Sequence, residues 1–236
     1  ISPDYDFVVP DTVGTVELMV GAFASGYYST VASSATTVVK PGINRGSLTG
    51  FDLFDDDSLI TDSRDGKTYL TMLAGDTRWM RQNLAYEASG IRCFDSGVMT
   101  GLFGMFYTWE EARNGNVCPE GWELPSENDW VELAEFCGDE NAARFGTFTG
   151  IAGKNMVDAS FNGKPVWEFW PQVRITNESH FAALSTGFCD ILSDTHKFRG
   201  WSEYAGFWTG DETDDSASGV YRYFHVESDN IFAGAT

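Results

Sequence analysis

Alternating apolar and polar residues predict strands in the first quarter of the chain. In TVELMVGAF (15–23), apolar side chains fall on one face at Val16, Leu18, Val20 and Ala22. ATTVVK (35–40) is rich in β-branched residues and ends at a Pro-Gly turn signal, which predicts a second strand. We interpret residues 1–60 as a small N-terminal β segment. This segment is too short to bury much surface alone. We therefore expect it to be part of a sandwich or an extension that donates a strand.

The spacing of apolar residues becomes helical in LPSENDWVELAEFCG (124–138). Ser126 is placed to cap a helix that ends at Gly138, with Asp129 at the third helical position. Apolar side chains then recur three, four and seven residues apart and share one face, at Trp130, Leu133, Ala134 and Cys137. The acidic residues of this stretch point elsewhere, which predicts a solvated outer face with Glu127, Asp129, Glu132 and Glu135.

Further elements follow the same two patterns in residues 61–236. TYLTML (68–73) and TRWMRQNL (77–84) predict strands around a turn at Gly75. Thr108 and Glu111 form a capping-box pattern that starts a short helix before a glycine. Aromatic stretches later in the chain predict short strands with long loops. The sequence therefore predicts an α+β class, with two or three short helices and a loop-rich twisted β core after the small β segment.

Composition and charge exclude several partners. Of the 236 residues, 42% are hydrophobic and 15% aromatic, which is enough apolar surface for a core. The net charge is −20, so nucleic acid and anionic membrane surfaces are not expected, since both attract basic proteins. No apolar run of about 18 residues is present, and we expect no membrane span.

Four cysteines indicate an oxidising compartment and two disulfides. The disulfide candidates are Cys93, Cys118, Cys137 and Cys189. Three pairings are open, and four free buried thiols are the alternative. The opening ISPDYDF has no signal-peptide pattern, so the protein is either cytosolic or a mature form after leader removal. The composition favours the second, an extracellular protein at the cell surface.

Three blocks of the chain carry a family resemblance, namely TDSRDGKTYLTMLAGDTRWMRQNL (61–84), FYTWEEA (106–112) and CPEGWELPSENDW (118–130). In this order they resemble the Fibrobacter succinogenes major paralogous domain family of secreted and surface proteins. The family is common in the Fibrobacter and Bacteroides groups. The resemblance implies that residues 61–236 form one domain, with a fold akin to C-type lectins and the formylglycine-generating enzyme. It also implies a cell-surface or fimbrial role without an established catalytic activity.

The end of the chain departs from this family. The family's closing strand, similar to Gly-Phe-Ser-Val-Arg-Cys-Val, has no match in SDNIFAGAT (228–236). Either the closing strand was lost or left out, or the fold is closed differently. A missing strand would leave an open sheet edge that invites a strand from another chain.

Aromatic residues after residue 160 are the candidates for carbohydrate binding, because an apolar ring face can cover the C–H face of a sugar. The candidates are Trp167, Trp170, Trp201, Trp208 and Tyr204. We expect one or two of these four tryptophans to be exposed. The tryptophans of the family blocks are interpreted as core residues, namely Trp79, Trp109, Trp122 and Trp130. A carboxylate-rich loop with Asp211, Asp214 and Asp215 is a candidate calcium site. The alternative is an acidic loop that is only solvated.

The pattern Asp-Ser/Thr-aliphatic resembles the O-glycosylation site of Bacteroides-group surface proteins. It predicts modification in loops or chain ends at Thr12, Ser58 and Ser216.

No catalytic motif stands out in the sequence. Neither HExxH nor G-x-S-x-G occurs, and no two cysteines have the short spacing of a copper-binding pair. We predict a non-enzymatic surface protein that acts in adhesion or as a subunit of a filament or fimbria, with carbohydrate as a candidate ligand. Its partners would be carbohydrate or protein surface ligands, other copies, or other surface subunits, and calcium is the one candidate cofactor. The alternative is an enzyme of the formylglycine-generating type or a carbohydrate-active enzyme.

Overall fold

The computed structural model describes residues 14–22, 30–38, 48–49, 58–87, 90–114, 117–161, 163–192, 195–213 and 218–236. The chain divides into two compact units, Ile1–Thr49 and Gly50–Thr236. The boundary that we place after residue 60 from the sequence stays a prediction.

The described part of the first unit is an antiparallel pair of strands and one short strand. These are β1 (Gly14–Ala22), β2 (Thr30–Val38) and β3 (Leu48–Thr49). Gly14 lies opposite Val38, and Ala22 lies opposite Thr30. The strand predicted at 15–23 is confirmed, whereas the second strand begins five residues before the predicted 35–40.

The second unit combines short helices with small antiparallel sheets. Its strands are β4 (Ser58–Thr61), β5 (Thr68–Ala74), β6 (Thr77–Met80), β7 (Ile91–Arg92), β8 (Met105–Phe106), β9 (Ser160–Phe161), β10 (Lys164–Pro165), β11 (Phe188–Leu192), β12 (Thr195–Arg199), β13 (Tyr204–Glu212), β14 (Gly219–His225) and β15 (Ile231–Ala235). Its helices are a 3-10 turn (Cys93–Asp95), α1 (Gly97–Phe103), α2 (Trp109–Arg113), α3 (Glu127–Phe136) and α4 (Ala152–Asn155). The predicted α+β class is confirmed.

Four α-helices are present in the described residues, where we predicted two or three. Helix α1 contains two glycines, and α4 is a single turn of four residues, so neither has a clear periodic pattern. Among the residues described, no helix has the length and apolar character needed to cross a bilayer.

Within the second unit, the strands that pair are consecutive in the chain. One sheet has the order β4-β5-β6 and another the order β13-β14-β15, while β7-β8, β9-β10 and β11-β12 are antiparallel pairs. Ile231 of β15 lies opposite Phe224 of β14, and Ala235 lies opposite Val220. SDNIFAGAT, which lacks the family's closing motif, therefore still contains a strand. Ile231 is buried and also exchanges two backbone hydrogen bonds with Phe148, so distant contacts select the strand.

Helix α3 begins and ends as its sequence predicts. The Ser126 hydroxyl accepts from the Asp129 amide at 3.2 Å, and the Asp129 carboxylate accepts from the Ser126 amide at 2.6 Å. At the other end Gly138 has φ +99°, its amide donates to Glu135, and the next amide donates to the Ala134 carbonyl. This is a Schellman cap, which needs a left-handed residue that glycine supplies without strain.

The predicted apolar face of α3 is confirmed, since Trp130, Leu133, Ala134 and Cys137 are all buried. The helix packs on β5 and β13. The Trp130 ring lies 5.2 Å from Trp79, 5.5 Å from Phe181 and 5.9 Å from Phe207 between ring centroids. These edge-on and tilted contacts form the aromatic core of the second unit.

Glu127 contradicts the prediction of a solvated acidic face on α3. Its side chain is fully buried and accepts from both Nε and Nη2 of Arg222, the Nε bond measuring 2.8 Å. It also accepts from the Phe145 amide at 2.6 Å. Arg222 is equally buried, donates to the Gly146 carbonyl, and lies 3.8 Å over the Phe148 ring. Helical periodicity could not show this pair, because Arg222 lies in β14, 95 residues away.

We expect Glu127→Gln to lower the free energy of unfolding by about 3–5 kcal/mol, because Arg222 would keep a buried charge without its carboxylate. Urea denaturation at neutral pH measures the change. Glu132→Gln, on the exposed side of the same helix, is the matched control and should cost less than about 0.5 kcal/mol. Equal stability of the two variants would contradict the importance of the pair.

A second ion pair holds the loop between β4 and β5. The buried Asp62 carboxylate accepts from the Arg64 guanidinium at 2.8 and 2.6 Å and from the Arg64 amide at 3.0 Å. Arg64 then donates to the Val117 carbonyl at 2.7 Å and lies over the Tyr86 ring. The hydrogen bonds from Arg64 outweigh burial and lower the pKa of Asp62 below its ordinary 3.8.

The lowered pKa of Asp62 predicts a loss of stability in acid. A carboxylate whose pKa is lower in the folded state stabilises the fold fully above about pH 4, and this contribution disappears as the pH falls through the folded pKa. We expect Asp62→Asn to cost about 1–3 kcal/mol at neutral pH and to reduce the difference between neutral pH and about pH 2. Urea midpoints at both pH values test this, with the exposed Asp76→Asn as control. An unchanged difference in Asp62→Asn would refute it.

Candidate functional site

The second unit contains a cavity of about 590 Å³ beside the aromatic core. This volume is typical of small-molecule sites, which span roughly 300–1,000 Å³. We call it the aromatic cavity, because its lining includes Trp79, Tyr107, Trp122, Trp130, Phe207 and Trp208. Trp79 and Trp130 are buried in its wall, whereas the other four rings are half-buried. The half-buried rings are the ones that a ligand can meet first.

One wall is the segment from Gly104 to Tyr107, which includes β8. Gly104 ends α1 with φ +84°, and a Cβ atom there would lie 2.4 Å from the Cβ of Asn83. Only glycine therefore allows the Met105 amide to reach the Leu84 carbonyl at 2.9 Å. The close approach of these two segments positions β8 at the cavity.

Tyr107 and Trp208 are fixed next to each other in this wall. The Trp208 indole donates to the Tyr107 carbonyl at 2.7 Å, and the Tyr107 hydroxyl donates to the Tyr86 carbonyl at 2.7 Å. Burial raises the pKa of Tyr107, so its hydroxyl stays a neutral donor across the physiological range. Both rings are thus held before any ligand arrives, which reduces the entropy lost on binding.

The opposite wall is the loop that precedes α3. Its Val117 carbonyl is held by Arg64, and the Trp122 amide donates to the Pro119 carbonyl at 3.0 Å. Near the helix, the Gly210 amide of β13 donates to the Pro125 carbonyl at 3.0 Å. These bonds hold the loop that carries the half-buried Trp122 ring.

The cavity walls contain unsatisfied donors. Within the residues that the structure describes, three buried nitrogens of cavity-lining residues have no hydrogen-bond partner, namely Trp79 Nε1, Gln82 Nε2 and Trp130 Nε1. The side-chain carbonyl oxygen of Gln82 accepts a hydrogen bond from the Leu70 amide at 2.9 Å, and its side-chain nitrogen Nε2 has no partner. All three atoms lie beneath the surface. Unpaired buried donors cost free energy, which an acceptor on a ligand would recover.

The charged side chains that line the cavity are few. They are Arg78, Glu123 and Asp129. Asp129 is engaged in capping α3, and Arg78 donates to the hydroxyls of Ser58 and Thr71. The lining therefore offers flat apolar rings, and the three unpaired N–H donors lie beneath them. This combination suits an uncharged ligand with an apolar face and acceptor oxygens.

The model of a known family matches the part of the chain that contains this whole site. The model of the Fibrobacter succinogenes major domain matches residues 72–230, from β5 to just before β15. The chain belongs to this family. No curated protein and no solved structure matches the chain significantly. The matched range contains the complete aromatic cavity, so the cavity belongs to the Fibrobacter succinogenes major domain itself.

The structure does not gather the five predicted sugar-binding residues in one place. Trp208 lines the aromatic cavity, whereas Trp167 is buried and donates to the Ala183 carbonyl at 2.9 Å. Trp170 packs against the core, Trp201 lies 4.8 Å from the Phe103 ring, and Tyr204 stacks on Tyr223. Trp170, Trp201 and Trp208 are half-buried, so the expected exposed tryptophan is not found among the four.

Sequence reasoning missed Trp122, Tyr107 and Gln82 as cavity residues. We interpreted all four tryptophans of the family blocks as core, and Trp79 and Trp130 are buried as predicted. Trp122, however, is half-buried in the cavity wall. A signal was present, since Trp122 lies in a Gly- and Pro-containing loop outside the periodic face of α3, and loops frequently carry binding residues.

The predicted calcium ligands have other contacts or lie outside the described residues. The Asp211 carboxylate accepts from the Glu127 amide at 2.6 Å and from Arg144 at 2.8 Å. Asp214 and Asp215 lie outside the described residues. In the part of the chain that is described, no three His, Cys, Asp or Glu side chains are grouped to hold a metal ion.

The cysteines and the glycosylation candidates are distributed over the fold. All four cysteines are thiols in the structure, so the two disulfides stay a prediction. Ser58 is exposed as the first residue of β4, and its hydroxyl contacts Thr71 Oγ1 and Arg78 Nη1, each at 2.7 Å. Thr12 and Ser216 lie outside the described residues, and modification at all three positions stays a prediction.

We expect Gly104→Ala to lower the free energy of unfolding by about 1–3 kcal/mol, because alanine is strained at this positive φ and its Cβ would strike Asn83. Thermal and urea unfolding measure the loss. Gly101→Ala is the matched control, since nothing lies within 4 Å of its added Cβ on α1. The control should gain about 0.5–1 kcal/mol. A stable Gly104→Ala variant would show that the wall does not need glycine.

Proposed function

We propose that this Fibrobacter succinogenes major domain protein is a non-enzymatic, extracellular surface protein that binds carbohydrate in the aromatic cavity. The observation that carries the proposal is the cavity of about 590 Å³ with the half-buried rings of Tyr107, Trp122 and Trp208 in its walls. The biological role that we propose is adhesion, or a place in a surface filament or fimbria with other copies or subunits.

The chemistry of the cavity supports a sugar over a purely apolar ligand. A pyranose has one face of C–H groups and a rim of hydroxyls, so it needs flat rings and hydrogen-bond partners together. The cavity offers the rings named above, and the unpaired donors of Trp79, Gln82 and Trp130 lie behind its wall. Because Arg78 and Asp129 are already engaged, the proposed ligand is a neutral sugar that presents acceptor oxygens.

We also propose a C-type-lectin-like architecture for residues 61–236. The capped start of α3 after Leu124-Pro125, and its packing on β5 and β13, support this architecture. Sugar binding would not need calcium at the aromatic cavity, since rings line it and N–H donors lie beneath them. A Bacteroides-group origin and the removal of a leader remain parts of the same proposal.

An array of neutral and acidic oligosaccharides, probed with the full chain with and without calcium, tests the proposed function. We expect binding to a subset of neutral glycans that persists in EDTA. Absence of binding to every neutral glycan would refute the proposal. Cleavage of a bound glycan during incubation would instead favour the carbohydrate-active enzyme.

Tryptophan variants assign the binding to the cavity. Trp122→Ala should weaken the best glycan on the array at least about tenfold in Kd, or ~1.4 kcal/mol, whereas Trp122→Phe should keep most of the affinity because a ring remains. Trp170→Ala is the matched control, because Trp170 is also half-buried and packs on the core but does not line the cavity. Equal losses in Trp122→Ala and Trp170→Ala, measured by calorimetry, would place the ligand elsewhere.

A further inference from the structure

Two cysteines that are distant in sequence lie on neighbouring elements. Cys93 is completely buried at the start of the 3-10 turn that follows β7. Cys189 is half-buried in β11, the first strand of the β11-β12 pair. The question is whether their sulfur atoms face each other.

Two side-chain contacts join the 3-10 turn to β12. The Phe94 ring lies 4.9 Å from the Phe198 ring, and Asp95 Oδ1 lies 2.7 Å from His196 Nδ1. Both contacts come from the residues that directly follow Cys93. The turn is therefore packed against one face of β12.

Cys189 lies on that same face of the strand pair. Cys189 and Phe198 are directly opposite each other in the β11-β12 register, and opposite residues project to the same side of a sheet. Phe94 covers Phe198 from this side. The side chains of Cys93 and Cys189 are thus brought to the same small region.

The electrostatics of the thiols agree with this placement. Burial, and after it the nearby Cys189, raise the pKa of Cys93 to about 12. Burial also raises the pKa of Cys118 and of Cys137. The other groups that act on Cys118 are Arg64 and Glu123. Those that act on Cys137 include Asn155 and Ser179. Among the four thiols, which all lie in the described residues, Cys93 and Cys189 are the pair with an electrostatic interaction between cysteines.

We propose that Cys93 and Cys189 form a disulfide in the oxidised protein, which joins the 3-10 turn to the β11-β12 pair, while Cys118 and Cys137 remain thiols. The bond would also stabilise the wall of the aromatic cavity, because the ring centroids of Phe198 and of Phe106, a cavity-lining residue, are 5.8 Å apart. This inference does not depend on the ligand of the cavity.

The reaction is a thiol–disulfide exchange with a small or protein disulfide as the oxidant. The more exposed Cys189 thiolate attacks one sulfur of the oxidant, forms a mixed disulfide and releases one thiol. The Cys93 thiolate then attacks the Cys189 sulfur and releases the second thiol. The two cysteines lose two electrons and two protons, which the two released thiols carry. Because both pKa values are raised, the exchange should be faster at alkaline pH.

The test uses the full chain, reduced and then refolded with oxidised and reduced glutathione at mildly alkaline pH. Thiol titration under denaturing conditions should find four thiols before and two after oxidation. The peptide map without reduction should contain one cross-linked species that joins Cys93 to Cys189. Retention of four thiols, or a cross-link between any other pair, would overturn the proposal.

Serine variants provide the matched controls. Cys118→Ser and Cys137→Ser should still form the cross-link, whereas Cys93→Ser and Cys189→Ser should not. Reduction should lower the Tm of the wild type by about 5–15 °C, and it should leave the Tm of Cys189→Ser unchanged, because a disulfide that closes a long loop stabilises the fold. An equal shift in Cys189→Ser would show that another pair carries the bond.

Discussion

The second unit depends on a charge buried at the start of α3. Glu127 accepts from Arg222 of β14 and from the Phe145 amide, and its own amide donates to Asp211 of β13. A carboxylate in this position is tolerated only because every oxygen has a charged or amide donor. The pair therefore fixes where the helix begins relative to the β13-β14-β15 sheet. Trp130, one turn further along α3, is placed in the core and in the cavity wall by the same constraint.

The cavity contrasts with this satisfied network. Near Glu127 and Arg222, buried polar atoms are paired, including the Gly146 carbonyl that accepts from Arg222. Beside the cavity, the indole nitrogens of Trp79 and Trp130 have no partner among the described residues. Proteins normally pair their buried polar groups, and this local exception coincides with the aromatic cavity. The satisfied ion pair and the unpaired donors thus lie along the same helix, at Glu127 and Trp130.

Local elements were predictable where the contacts that stabilise them join residues close to each other in the sequence. The capping boxes at Thr108 and Ser126, the glycine end of α3 and the apolar face through Trp130 all use contacts within about one to three turns. The strand β15 and the burial of Glu127 were not predictable in this way. Phe148 pairs with Ile231, and Arg222 pairs with Glu127, across most of the domain. The candidate site followed the same rule, since Trp122 was recognised as part of a family block but not as a cavity wall.

The sequence by itself determined the class of the domain, its family and the limits of α3. These properties depend on composition, on motif spacing and on hydrogen bonds between neighbours in the chain. The tertiary structure decided which aromatic rings share a cavity, which carboxylate is buried, and which cysteines lie together. Cys93 and Cys189 illustrate the reason. Their proximity results from the pairing of β11 with β12 and the packing of Phe94 on Phe198, and no local pattern records either contact.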